Sequence, residues 1–136
     1  MDQNFVKTGK VKFVYLHMAF IGNESEWAAN ATECANEQGK FWEYHDKVFE
    51  NQGGENKGAY AKPVLKRFAK EIGLDSAKFD PCLDQDKYLA KVRADTAKAQ
   101  QMGVRSTPSF FINGKFLEGA LPYEQFAQII NSLLPK

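Results

Sequence analysis

Two cysteines, two histidines and a serine–threonine–proline run are the residues of this chain from which covalent, acid–base or peptide-binding chemistry could be built. Cys34 in ATECANEQ and Cys82 in FDPCLDQ form no Cys-x-x-Cys. A reactive cysteine is a thiolate of lowered pKa, held at a helix N-terminus or beside a cation. Cys34 falls inside a helical pattern rather than at its first turn, and Cys82 follows a proline in a different helix, so both are poorly placed as nucleophiles. Buried free thiols are one reading of the pair, because free Cys packs as a small hydrophobe. A four-ligand zinc site would need both cysteines, His17 and His45 to converge, and no metal site is expected. His17 ends an apolar run and reads as a partly exposed strand-end residue, while His45 lies beside Trp42 and Tyr44, where packing or a hydrogen bond accounts for it. Ser106 has no His/Asp pair placed to activate it, so no catalytic residue is assigned.

The remaining candidate is a backbone site. GVRSTPSFFINGKFLEG (103–119) puts Thr107-Pro108 directly before an apolar run. Pro108 has no N–H for a ladder, so it must open a strand or lie on an edge. A trans bond would simply start the strand. A cis Thr107-Pro108 bond would project the preceding backbone out of the sheet and leave its N–H and C=O to pair with an extended peptide.

Positioning these residues takes both strands and helices. KVKFVYL (10–16) is apolar on both faces apart from Lys12, the pattern of a strand buried between helical layers, and FVKTG before it reads as a helix end closed by Gly9. Ser25 is the expected cap of a helix running to about Gln38, with Trp27, Ala31, Cys34 and Ala35 on one stripe. A second helix covers 40–51 with Phe41, Tyr44, Val48 and Phe49 inward, and QGGENKG (52–58) is a loop. Pro63 opens a third helix, whose buried side is Val64, Leu65, Phe68 and Ile72 and whose end is Gly73. Asp75 or Ser76 caps a short helix that Pro81 should break, and the longest helix, roughly 87–102, carries Tyr88, Leu89, Val92, Ala99 and Met102 inward. Asn113-Gly114, the preferred type I′ pair, predicts an antiparallel hairpin of 109–113 with 115–118. Residues 121–134 then close the chain as a helix with Phe126, Ile129, Ile130 and Leu133 facing in, and Phe41, Trp42, Phe110 and Phe111 are expected in the core.

Whole-chain composition narrows the partners. With 136 residues the chain fits a single domain, and 18 basic against 17 acidic side chains leave a formal charge of +1, which gives a nucleic-acid surface no support. MDQNFVKTGK lacks the basic start and apolar core of a secretory signal, and no apolar stretch approaches the roughly 20 residues of a membrane span.

Four segments in order carry a resemblance: VKTGKVKFVY (6–15), ATECANEQGKFWEYHDKVFENQ (31–52), FDPCLDQDKY (79–88) and GVRSTPSFFING with Gly119 and PYEQF after it. Together they resemble the DsbA-like thiol–disulfide oxidoreductases, of thioredoxin-like fold. The resemblance implies an α/β, thioredoxin-like three-layer sandwich spanning 1–136, with a helical insertion over about 25–102: strand, four or five helices, β-hairpin, helix. It implies a substrate-binding loop at Ser106, Thr107 and Pro108 with a cis-proline, cysteine-containing or extended polypeptides as partners, no cofactor, and an extracytoplasmic setting such as the periplasm or cell surface. It also implies that Cys34 and Cys82 form a structural disulfide within the insertion, as similar positions do in some relatives. Ser106 departs from the glycine often found there.

One departure bears on activity. In that family a strand and a helix bearing Cys-x-x-Cys precede the segment matching 6–15, whereas Met1 here stands where that helix would be ending, so the chain reads as N-terminally truncated. Without the dithiol, exchange through a mixed disulfide has no nucleophile. The expectation is a DsbA-like domain that is redox-inactive as this chain; the alternative is a non-catalytic peptide-binding or dimerising module, and a glutathione-using relative is a third option resting on fold similarity alone. The absent strand would lie between 10–16 and 109–113 and leave unpaired edges, so a homodimer through the incomplete sheet is expected.

Overall fold

Local chemistry sets most element boundaries in the computed structural model, which describes residues 1–135. Among the described residues are six α-helices, one π-helical turn and one two-stranded sheet, distributed over two compact units.

The first unit, His17–Ala99, is helical. Helix α1 (Gly22–Asn36) starts three residues before the expected Ser25 cap. Ser25 is not a cap at all; its hydroxyl donates to the Ile21 carbonyl at 3.1 Å, a bond back along the first turn. Gly22 makes the earlier start possible, since it has φ +74° and a Cβ there would lie 2.5 Å from the Asn56 side chain. Helix α2 (Phe41–Glu50) turns Tyr44 and Val48 inward, one turn apart. Phe49 lies about 100° round the helix from Val48 and is 52% exposed, and Trp42 is exposed as well, so neither joins the core expected of them.

Pro63 occupies the first turn of α3 (Lys62–Glu71), where a missing N–H costs nothing, and Leu65, Phe68 and Ala69 are its buried face. Asp75 caps α4 (Ser76–Asp84) by accepting from the Ala77 amide at 2.9 Å. The break expected at Pro81 does not occur: α4 runs through it. Losing the bond to the carbonyl four residues back costs about 3 kcal/mol. Burial of Phe79, Cys82 and Leu83 on either side offsets that cost, two of these side chains being fully enclosed. Helix α5 (Leu89–Gln101) buries Val92 and Ala99, whereas Met102 falls beyond its end and is exposed rather than inward.

These helices share one core of Ala31, Cys34, Ala35, Tyr44, Val48, Leu65, Phe68, Ala69, Leu74, Phe79, Cys82 and Leu83. Leu65 and Phe79 have no exposed surface, and burial of each contributes roughly 1.5–3 kcal/mol. The Tyr44 hydroxyl donates to the Leu65 carbonyl at 2.9 Å, and burial pushes its phenol well above the usual value. Cys34 and Cys82 are joined by a disulfide between α1 and α4, with 2.04 Å between sulfurs.

The second unit combines Met1–Leu16 with Gln100–Lys136. Asp2–Val6 forms the π-helical turn, and Gly9, at φ +74°, closes it by donating to the Val6 carbonyl at 2.9 Å. Strands β1 (Ser109–Ile112) and β2 (Lys115–Glu118) pair antiparallel with Phe110 opposite Leu117 and Phe111 opposite Phe116. Asn113 and Gly114 between them both have positive φ, 48° and 83°, as a type I′ turn requires. Helix α6 (Tyr123–Leu133) follows Pro122 and buries Phe126 and Ile130; Leu133, expected inward, is exposed in its last turn. Phe110 meets Phe126 edge to face at 4.8 Å, while Phe111 is partly exposed.

The strand expected at 10–16 is not formed. The sheet consists of β1 and β2 alone, and Val14 is 70% exposed. A run that is apolar on both faces makes a strand only where a neighbour supplies the ladder, and neither hairpin strand pairs with this segment.

A disulfide closing a 48-residue separation stabilises by up to about 4 kcal/mol in the chain-entropy model. Thiol titration of the denatured, unreduced protein should find no free thiol, and the Cys34→Ala/Cys82→Ala double variant should lose a large part of that stability in urea unfolding.

Candidate functional site

The segment around Thr107 is shaped by its own side chains and by the hairpin. The Thr107–Pro108 peptide bond is cis, and both residues are exposed. Ser106 donates its hydroxyl to Glu118, and Ser109 donates to the Ser106 carbonyl at 2.7 Å. The Pro108 carbonyl accepts from the Gly119 amide at 2.8 Å, which ties the entry of β1 to the exit of β2. Ser106 is thus held in the loop by the hydrogen bond from its hydroxyl to the Glu118 carboxylate.

The two cysteines lie elsewhere and are inaccessible, Cys34 being 1% and Cys82 5% exposed. The residues that could carry thiol chemistry and those that could carry peptide backbone recognition therefore belong to different units.

A third constellation was not visible in the sequence. His17 is not partly exposed but 4% exposed, and its Nε2 lies 2.9 Å from Oε1 of the buried Glu33. The Lys91 ammonium donates to the same Glu33 oxygen at 2.9 Å and to Asp95 Oδ2 at 2.9 Å. Burial pulls the His17 imidazole below its ordinary value, against the opposing pull of Glu33. Desolvation also acts against the Lys91 charge, but hydrogen bonds to Asp95 and Glu33 outweigh it and hold the ammonium above its ordinary value. One step along the same segment, the Ala19 amide donates to the Thr96 hydroxyl at 3.0 Å. Glu33, Lys91 and Asp95 escaped notice because their partners are 16 and 58 residues apart. The only signal was Lys91 and Asp95 at i, i+4 on one helix.

His45 Nδ1 is 3.0 Å from Asp46 Oδ1, and its ring is stacked with Phe41, edge-on to Trp42 and tilted against Phe49.

Comparison with known proteins decides the family. A family model described as Thioredoxin matches residues 1–132. The chain is 27% identical over 139 aligned residues to disulfide bond formation protein D of Bacillus subtilis, and it superimposes on the oxidised crystal structure of BdbD from B. subtilis with a TM-score of 0.84 at 25% identity. The chain belongs to the DsbA-like thioredoxin-fold family. That superposition covers 96% of this chain and 72% of the BdbD chain. By sequence the match covers 98% of this chain, which spans between 54% and 62% of the lengths of the Bacillus disulfide bond formation proteins it resembles. The chain is also 38% identical to a sodium–proton antiporter, NhaA of Herminiimonas arsenicoxydans, over 93 residues that make up 68% of this chain and 14% of the antiporter. Among the described residues of this DsbA-like chain, no helix is long and apolar enough to cross a membrane.

The depressed His17 fixes a pH dependence. Its unfolded form binds a proton at a higher pH than its folded form, so its contribution to stability is fully present above about pH 6.5 and is lost as pH falls through the folded value. The groups facing it are Glu33, Lys91 and Asp95. In chelator-treated buffer, the urea midpoint should fall between pH 7.5 and 5, and His17→Gln should flatten that slope.

Proposed function

We propose that this chain is a DsbA-like domain that receives extended, cysteine-containing polypeptides at Ser106, Thr107 and Pro108 and does not itself turn over disulfides. The observation that carries this reading is the burial of the thiols: both cysteines are locked in a buried disulfide, while Thr107 and Pro108 are exposed at the entry of β1. Exchange proceeds by attack of a thiolate on a disulfide sulfur, and a bridge with both cysteines buried offers neither an accessible thiolate nor an accessible sulfur to attack. Cys34–Cys82 is then a structural bridge, and the family's redox step belongs to a Cys-x-x-Cys that residues 1–136 do not contain. A disulfide of this kind persists in an oxidising setting, in keeping with an extracytoplasmic location.

A dimerising role has its own support. Within the smaller unit, Val11 to Leu16 are apolar apart from Lys12 without forming a strand, Phe13, Val14 and Leu16 are exposed, and the unit's sheet has two strands. Two strands are too few for independent stability unless the apolar faces find cover. A second copy supplies it by strand pairing, which makes the chain a homodimer.

Two measurements test these readings. In an insulin-reduction assay with dithiothreitol, the chain should give no rate above the reductant alone; turnover that vanishes in Cys34→Ala or Cys82→Ala would refute the structural assignment of the bridge. In light scattering at micromolar concentration the mass should be that of a dimer, and a stable monomer would exclude the strand-paired homodimer.

A further inference from the structure

We propose that Arg105 is a specificity-determining residue which selects acidic polypeptides, given the peptide-receiving role read above for Ser106, Thr107 and Pro108. The polypeptides received there carry an Asp or Glu close to the position that pairs with Thr107. The loop's backbone is already sorted into used and unused groups. The Ser106 carbonyl accepts from the Ser109 hydroxyl, and the Pro108 carbonyl accepts from the Gly119 amide. Among the described residues, the N–H and C=O of Thr107 take part in no hydrogen bond, and neither do those of Arg105. An extended peptide that docks by main-chain pairing finds unused donors and acceptors at these two positions.

Charge points the same way. Arg105 is exposed, and its guanidinium has no ion pair or hydrogen-bond partner among the described residues. Glu118, the one acid of the hairpin, accepts from the Ser106 hydroxyl, and Asp2 pairs with Lys7 at 3.1 Å. The formal charge of +1 for the whole chain conceals an asymmetry. The smaller unit has six basic against three acidic side chains, a formal +3, while the helical unit has twelve against fourteen, a formal −2. The unit that holds the loop is therefore the one whose field attracts acidic partners.

Chain geometry sets where the acid belongs. Arg105 stands two residues before Thr107, a span of at most roughly 7 Å. A peptide residue two positions from the one paired with Thr107 covers the same span. A carboxylate there meets the guanidinium, whose planar fork donates to both of its oxygens, a fit that a lysine ammonium does not reproduce. The pair is exposed, so the discrimination it gives is modest, about two- to fivefold, and it is screened by salt.

Chemical-shift titration of the isotope-labelled full chain with short synthetic peptides, in low salt, tests the proposal. Each peptide carries serine in place of cysteine, so that no disulfide forms, and the peptides differ only in having Glu, Gln or Lys two positions from that serine. The expected result is a saturable shift of the Thr107 amide, with the Glu peptide bound about two- to fivefold more tightly than the Gln peptide and the Lys peptide more weakly than either. Arg105→Gln should make the three peptides bind alike, and Arg105→Lys should keep part of the preference. Lys115→Gln, at the turn end of β2, should leave the order intact. Equal binding of the Glu and Gln peptides at Thr107 would overturn the role of Arg105 while leaving peptide binding by the loop in place. A Glu preference that survives Arg105→Gln would overturn it as well. No shift of Thr107 with any of the peptides would refute the loop's peptide-receiving role and this specificity together.

Discussion

Seven consecutive residues of α1, Ala29 to Ala35, are removed from water, and the helical unit is arranged around that constraint. A helix with one contact face buries residues every third or fourth position; a run of seven means that neighbours cover it on all sides. The apolar members are small, Ala29, Ala31, Cys34 and Ala35, which lets α2, α3 and α4 approach closely. The polar members each impose a partner, since a buried polar group left unpaired costs about 1–3 kcal/mol. Asn30 donates to the Leu83 carbonyl at 3.4 Å and accepts from the Tyr88 amide at 2.8 Å, bracketing the turn between α4 and α5. Thr32 is satisfied within α1 by the Ala28 carbonyl, and Glu33 is satisfied by His17 and Lys91.

The same logic extends one turn earlier along α1 to Glu24. Its two oxygens accept from the Gly58 and Tyr60 amides at 2.7 and 2.8 Å, which fixes the far end of the glycine-rich loop against α1. Tyr60 passes the restraint on by donating its hydroxyl to the Val48 carbonyl at 2.9 Å. A loop whose composition reads as flexible is thus anchored by a carboxylate more than thirty residues away.

That distance explains what could be read from the sequence. The Asn113-Gly114 turn, the Asp75 cap, Pro63 in a first turn and the glycines after helices depend on residues a few positions apart, and all are found where local chemistry puts them. Thr107-Pro108 stood out for the same reason, a proline at the mouth of a strand. The His17 cluster did not, because a lone histidine after an apolar run gives no hint of a glutamate and a lysine on two different helices. Ser25 misled because the helix already begins at Gly22, and the Ser25 hydroxyl bonds back to the Ile21 carbonyl instead of capping. Residues 10–16 misled more deeply: they are apolar on both faces apart from Lys12, but a strand is a property of two segments, and the hairpin offers no ladder to this one.

The two cysteines illustrate how one element can serve opposite ends in the same fold family. A sulfur that exchanges must be reachable and must leave easily, whereas a sulfur that holds helices together is best kept from both solvent and thiols. Cys34 lies in the most enclosed stretch of α1, and Cys82 lies in α4 one residue after a proline that removes a helical hydrogen bond. The bridge ties α4, next to Pro81, to the most enclosed stretch of α1. In the proposed reading the bridge's contribution is to stability, and the surface left for a polypeptide is backbone: the exposed Thr107 and Pro108, at the start of a hairpin whose outer edge has no ladder partner among the described residues. Peptide capture by strand addition depends on main-chain groups at such an edge rather than on a nucleophile, so a chain without an accessible thiol can keep that half of the family's chemistry.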